Sequence, residues 1–323
     1  QGPVYTAYEN GTWDPLGQNS KIIYLDDRTV IDPDFLSSKG PGMGDSNWDP
    51  REIGERLASK AAAFINANAG KKPFFVCYWS PTVHVPHCPP DTFDGVKIKG
   101  STPTVHMDMV RELDQEVGRI VTALKRNGVY EDTLIVFTSD NGGLWVDASI
   151  KAGHNPNGGW RGHKNSPHEG GHRVPFIATW PGGIKAGAVC NEPIVIHDML
   201  ATMAALLKQD VPKDEAMDSL NLLPLLTGKG TFARREALVL QSGSRYEIMF
   251  RVGDWKLILA SNHKLTKFDP IGLFNLADNP KEIESENRVN HPEHQTRVAT
   301  MRKRCLEIRN GNCRTTPVIA YGK

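Results

Sequence analysis

Net charge is all but absent from this sequence: 38 basic and 37 acidic side chains leave a formal +1 over 323 residues. That balance excludes a global attraction to nucleic acid or to an anionic membrane, so any anion must be recognised locally. Long apolar runs are missing as well. Stretches such as Thr133 to Phe137 fall far short of the roughly 18 residues that a membrane helix needs, and no bilayer span is expected. Cysteine is scarce. Cys77, Cys88, Cys190, Cys305 and Cys313 leave one over if the others pair, and no CxxC or Cys/His spacing suggests zinc. Only Cys305 and Cys313, close together near the C-terminus, are read as a candidate pair. The sequence opens on Gln1 without a basic and apolar leader, which reads as a processed or truncated product whose targeting segment is out of view.

What is present, 39% hydrophobic and 23% charged residues, is the composition of an ordinary globular protein with a large core and a smaller appended unit. Up to about Asn47 the chain is rich in Gly, Pro, Asn and Asp without periodicity, as expected of irregular excursions over a scaffold partly supplied upstream. Asp49-Pro50 starts a helix, because proline suits its first position, and Ile53, Leu57, Ala61 and Phe64 recur at helical spacing. The run PFFVCYWS that follows Lys72 is expected as a strand buried on both faces, ending in a loop that carries His84. Val110, Leu113, Val117, Ile120, Val121 and Leu124 form a second helical stripe, which leaves Asp114, Glu116, Arg119 and Lys125 for the wet side. A β-branched run from Asp132 then closes on Thr-Ser-Asp-Asn-Gly-Gly. Strand, helix and strand thus alternate as in a crossover unit, and a mostly parallel sheet is implied.

Another strand at Arg173 to Trp180 and a helix from about His197 to Leu207 complete that layer. Beyond Arg234, YEIMFRV and WKLILA flank Gly253-Asp254 as an antiparallel hairpin would, and a polar helix from about Pro292 to Arg309 closes the chain. The expected organisation is an α/β domain over residues 1–230 and a small antiparallel α+β subdomain over residues 231–323.

Ligands of open α/β sheets gather beyond the carboxyl ends of the strands, where this sequence puts His84 and the pair Asp140-Asn141. A carboxylate beside a carboxamide, followed by two glycines, supplies hard oxygens for Ca²⁺ or Mg²⁺, although the same four residues also make an ordinary turn. The segment GHNPNGGWRGHKNSPHEGG adds three histidines, Arg161 and Lys164 on a backbone flexible enough to wrap a small anion, or else a solvated basic loop. Pro81, Pro86, Pro89 and Pro90 stiffen the loop around His84, which is either a structural or a catalytic histidine.

Several segments in one order resemble the sulfatases of the alkaline phosphatase superfamily, of the arylsulfatase and N-acetylgalactosamine-6-sulfatase type. They are PFFVCYWSPTVHVP, MVRELDQEVGRIVTALKRNGVYEDTLIVFTSDNGG, WRGHKNSPHEGGHRVPFIATWPGGIKAG, SLNLLPLLTGK, GDWKLI and LFNLADNPKE. The resemblance implies an alkaline-phosphatase-like sheet flanked by helices and incomplete at its N-terminus. It also implies hydrolysis of sulfate esters on a sulfated carbohydrate or aryl sulfate, in a secreted, periplasmic or lysosomal setting. By position, Asp140 and Asn141 would be Ca²⁺ ligands, with Mg²⁺ less suited, and His84 and Lys164 would hold the sulfate and neutralise the leaving oxygen. The family's formylglycine arises in a C/S-x-P-x-R motif that does not occur in these residues, so it is expected upstream and this chain by itself is expected to be inactive. A phosphoester hydrolase of the same superfamily and a non-catalytic binder of sulfated glycans are the alternatives.

Overall fold

The computed structural model describes residues 51–85, 87–212, 215–243 and 246–311, with the backbone of two short ladders ahead of them. These ladders pair β1 (Tyr8–Glu9) with β2 (Thr12–Trp13) and β3 (Ile22–Ile23) with β4 (Val30–Ile31). The chain divides into two compact units, one of residues 1–131 and 146–154, the other of residues 132–145 and 155–323, a division that differs from the boundary expected at residue 230.

In the first unit, α1 (Ile53–Asn68) buries Gly54, Ala58, Ala61 and Ile65. This stripe is turned slightly from the predicted one, and Phe64 is 44% exposed. The reason lies in its partner, α2 (Val105–Arg126), which Thr104 caps by accepting the Met107 N–H at 3.3 Å. The buried face of α2 includes Met109, Ala123 and Leu124, but also Glu112 and Glu116. Glu116 was expected on the wet side and is instead fully buried, because the Tyr78 hydroxyl donates to it at 2.6 Å and the Thr82 hydroxyl donates to its other oxygen. A carboxylate tolerates the interior when protein donors replace its water. Gly54 makes room for both acids, since a Cβ there would collide with the carboxylate oxygens of Glu112 and Glu116.

The PFFVCYWS run departs from expectation. It is extended, yet residues 73–80 join no ladder among the described residues, and its alternate side chains Phe75, Cys77 and Trp79 are exposed. Its apolar composition suits cover on two faces, whereas the described residues supply it on one, through Phe74 against Phe64 and Tyr78 against Glu116. A small ladder, β5 (Thr92–Phe93) with β6 (Val96–Lys97), follows. The short α3 (Asp147–Lys151) returns to this unit, where Ser149 Oγ lies 2.8 Å from Thr104 Oγ1.

The second unit begins with β7 (Ile135–Thr138), which runs antiparallel to β8 (Phe176–Thr179), Ile135 facing Thr179. Among the described residues no strand pair is parallel, so the predicted crossover is not completed there: its first strand lacks a ladder and its second takes an antiparallel partner. Between these strands lies α4 (Glu169–His172); beyond them come α5 (Asp198–Leu206) and α6 (Leu223–Thr227). Asp198 is fully buried and links these pieces by accepting from the N–H groups of Val195 and Leu220 and from the Arg235 guanidinium.

The C-terminal sheet is as predicted in kind. Strands β9 (Leu238–Gln241), β10 (Glu247–Val252), β11 (Trp255–Ser261) and β12 (Phe268–Asn275) form one antiparallel meander in the order β12-β11-β10-β9. Gly253, at φ 55°, turns the β10–β11 hairpin. One core holds Phe250, Leu257, Leu259 and Leu273 with Val298, Met301 and Cys305 of α7 (Gln295–Arg309). A second core gathers Met249, Ile258, Phe274 and Leu276. Each such side chain contributes about 1.5–3 kcal/mol by leaving water. Cys305 is a free thiol that burial pushes up to about 12, so it fills the core as a small apolar group; Cys313 lies outside the described residues.

Candidate functional site

Strand β7 delivers its carboxyl end directly into the turn Asp140-Asn141-Gly142-Gly143. Asp140 is exposed and Asn141 half-buried. Ser139 Oγ donates to the Asn141 carbonyl at 3.0 Å, and Asn141 Nδ2 donates to the Gly142 carbonyl at 3.2 Å, so the atom Asn141 offers a cation is Oδ1. Position 142 must be glycine, because a Cβ would run into the Gly170 carbonyl, and its N–H donates to the Gly171 carbonyl at 2.9 Å.

That contact belongs to a folded loop. Gly162, at φ 82°, reverses the chain, the Gly170 N–H donates to Arg161 O at 2.7 Å, and Ser166 N–H to His163 O at 2.9 Å. Lys164, half-buried, donates its backbone N–H to the Gly143 carbonyl at 3.0 Å. The lysine segment is therefore laced to the Asp140–Gly143 turn by backbone bonds at both ends. Asn157 also packs there. Its Nδ2 donates to Gly162 O at 2.5 Å, while its Oδ1, buried against Gly143, has no hydrogen-bond partner among the described residues.

A buried ionic cluster, which the sequence reading passed over, anchors the far side of this loop. Lys256 of β11 is 0% exposed and lies 2.9 Å from Glu169 Oε1, 2.9 Å from Glu282 Oε1 and 3.1 Å from His172 Nε2. Glu282 in turn accepts the Glu169 backbone N–H at 2.6 Å, and Arg161 donates to the Glu282 carbonyl at 2.8 Å. Burial pushes the Glu282 carboxyl up, but the His168 hydrogen bond and the Lys256 charge outweigh it and bring it down to about 2. For Glu169, burial is likewise overcome by the Lys256 charge and its hydrogen bond, and the carboxyl stays below its ordinary range. Burial, and then the Lys256 charge, lower His172 to about 4, so its ring is neutral at physiological pH. The signal in the sequence was a lone lysine inside the apolar strand WKLILA.

His84 belongs to the first unit. Its backbone N–H donates to Pro81 O at 2.9 Å and its ring Nδ1 lies 2.8 Å from the Val85 carbonyl, which fixes the proton on Nδ1. The structure thus brings Asp140, Asn141 and the Lys164 segment together in one unit and places His84 in the other. Among the described residues no three His, Cys, Asp or Glu side chains are grouped to hold a metal ion, so Asp140 and Asn141 can be only part of a ligand set. As hard oxygen donors in a glycine-bent turn they fit Ca²⁺ in kind. No described helix is long and apolar enough to cross a membrane.

The sulfatase family profile matches residues 12–209. This chain belongs to the sulfatase family. An N-acetylgalactosamine-6-O-sulfatase of Bacteroides thetaiotaomicron is 31% identical over 276 residues, covering 80% of this chain and 52% of that relative. Human N-acetylgalactosamine-6-sulfatase is 37% identical over 168 residues, covering 52% of this chain and 31% of its own length. Among solved structures, a sulfatase from a Bacteroides thetaiotaomicron locus for metabolism of multiple glycosaminoglycans superposes with a TM-score of 0.70 at 28% identity, over 84% of this chain and 57% of that one. The fold of this sulfatase chain is the α/β, alkaline-phosphatase-like one expected, with its C-terminal antiparallel sheet. The chain spans about half the length of the Bacteroides sulfatase it matches.

Proposed function

We propose that this chain supplies the metal-turn, lysine and histidine segments of a sulfate-ester hydrolase acting on a sulfated carbohydrate. The observation that carries the reading is the bond from Lys164 N–H to the Gly143 carbonyl, which ties a lysine to a turn of hard oxygen ligands in the fold of a sulfatase. Asp140 and Asn141 would hold Ca²⁺, and Ca²⁺, when bound, would neutralise charge on the sulfate oxygens. Lys164 would bind the same anion and offset charge as it develops at the ester oxygen. His84, with its proton on Nδ1, presents Nε2 as the ring's second nitrogen, suited to hydrogen-bond the departing oxygen once protonated. The nucleophile would be a formylglycine borne upstream of these residues, so we expect no turnover from this chain alone.

Titration calorimetry tests the reading. Ca²⁺ should bind the unmodified chain and bind Asp140→Ala at least about ten-fold more weakly, while inorganic sulfate should lose a similar factor in Lys164→Ala. Ca²⁺ and sulfate affinities that ignore both substitutions would sink it, and so would rapid hydrolysis of an aryl sulfate by this chain for the inactivity claim.

A further inference from the structure

Helix α7 holds a concentration of positive charge that the balanced total conceals. Between Gln295 and Arg309 it carries Arg297, Arg302, Lys303, Arg304 and Arg309 against one carboxylate, Glu307. Its apolar side faces inward, where Val298, Met301 and Cys305 share a core with Leu257 and Leu259 of the sheet. The cations are left on the outer side: Arg297, Arg302, Lys303 and Arg309 are exposed, and Arg304 is half-buried. Lys303 reaches Glu307 in a loose, exposed pair at 3.9 Å, and the four arginines form no ion pair among the described residues.

Cations on a helix are often merely solvated, but three of these guanidinium groups are held in place by partners that carry no charge. Arg297 lies over the Trp255 ring at 3.9 Å, Arg309 lies over the Phe268 ring at 4.7 Å, and Arg302 Nε donates to the Phe268 carbonyl at 2.8 Å. Rings and a carbonyl fix the side chains and leave their positive charge uncancelled. A guanidinium fork matches two oxygens of a sulfate group, and one already fixed loses less freedom on binding. From Arg297 to Arg309 the helix axis rises about 18 Å. That length exceeds a single sugar, so the matching partner is a chain that presents several sulfate groups at once. With the apolar side of α7 committed to the core, no face is left to enter a lipid surface.

We infer that the outer face of α7 is a docking surface for a sulfated polysaccharide, gripping a stretch of the polymer apart from the sulfate ester at the candidate site. Leu257 and Leu259 face α7 while Lys256, between them, faces Glu169, so the C-terminal sheet stands between this surface and the lysine loop. The choice of polymer rests on the sulfate-ester reading above, and the two fail separately. The full chain is titrated calorimetrically with chondroitin sulfate, desulfated chondroitin, inorganic sulfate and a DNA duplex. Chondroitin sulfate should bind, more weakly as salt is raised, and better than its desulfated form. The triple variant Arg302→Gln, Lys303→Gln, Arg304→Gln should lose at least about ten-fold in affinity for chondroitin sulfate and keep its affinity for inorganic sulfate. Lys164→Ala should do the reverse. Should the triple variant misfold, Arg297→Gln should weaken the polymer about three-fold and Arg297→Lys should restore most of the loss. Polymer affinity unchanged in the glutamine variants, or DNA bound as tightly as chondroitin sulfate, would overturn the docking surface and leave the sulfate-ester reading standing. If the unmodified chain binds no inorganic sulfate through Lys164, that reading fails and the assignment of the polymer falls with it.

Discussion

Glu112 should make the first unit less stable as pH rises, and Glu112→Gln should abolish that dependence. The carboxyl is 1% exposed, and neither of its oxygens has a hydrogen-bond partner among the described residues. Burial first, then the charges of Glu116 one turn along α2 and of Glu55 on α1, push it up to about 8. Tyr78, the other titratable group at this spot, is itself raised by burial and by its bond to Glu116, and stays a phenol throughout. A folded-state value above the unfolded one means that the folded form holds the proton more tightly. The stabilisation is therefore complete below the unfolded value near 4.5 and is lost as pH climbs through about 8. Each unit in that window removes about 1.4 kcal/mol, a few kcal/mol in total. Glutamine keeps the shape and never ionises. Urea denaturation at pH 5, 6.5 and 8 should show the wild-type midpoint falling relative to Glu112→Gln, with the variant the more stable at the highest pH. Parallel curves for the two proteins would refute the argument.

The second unit should behave in the opposite sense, losing stability on acidification as His172 is protonated between about 6.5 and 4 and Glu282 between about 4.5 and 2, which acid titration followed by circular dichroism would register. Lys256→Met should cost about 3–5 kcal/mol in urea denaturation, because Glu169 and Glu282 would then face each other in the interior without their cation. Gly54→Ala should destabilise the first unit by about 1–3 kcal/mol through the collision with Glu112 and Glu116, a cost that calorimetric melting would measure.

The C-terminal hairpin was legible because Gly253-Asp254 is a turn signal between two strand-like runs, and both strands lie where their residues suggested. Glu116 was not, because a charged residue on a helix is read as solvated unless its donors are known, and Tyr78 and Thr82 come from a loop more than thirty residues earlier. PFFVCYWS had the composition of a covered strand, but composition cannot say which segment provides the second cover. In the candidate site, Asp140, Asn141 and Lys164 stood out by residue type and by resemblance. The Lys256 cluster stayed hidden, since its four members come from the lysine loop, a strand and the turn after β12. Its one local sign was a cation in an apolar strand, a pattern that demands acidic neighbours without naming them.

The extended stretch from Phe74 to Ser80 also bears on handling. Its outward row of phenylalanine, thiol and tryptophan, with backbone groups that join no ladder among the described residues, is a template on which a foreign strand can crystallise into register. In the test tube, the most abundant foreign strand is the same stretch of a neighbouring molecule. Turbidity that grows with protein concentration, under reducing conditions too, is the behaviour to expect of purified material, and a lysine in place of Trp79 is the remedy that leaves the inward-facing tyrosine in place.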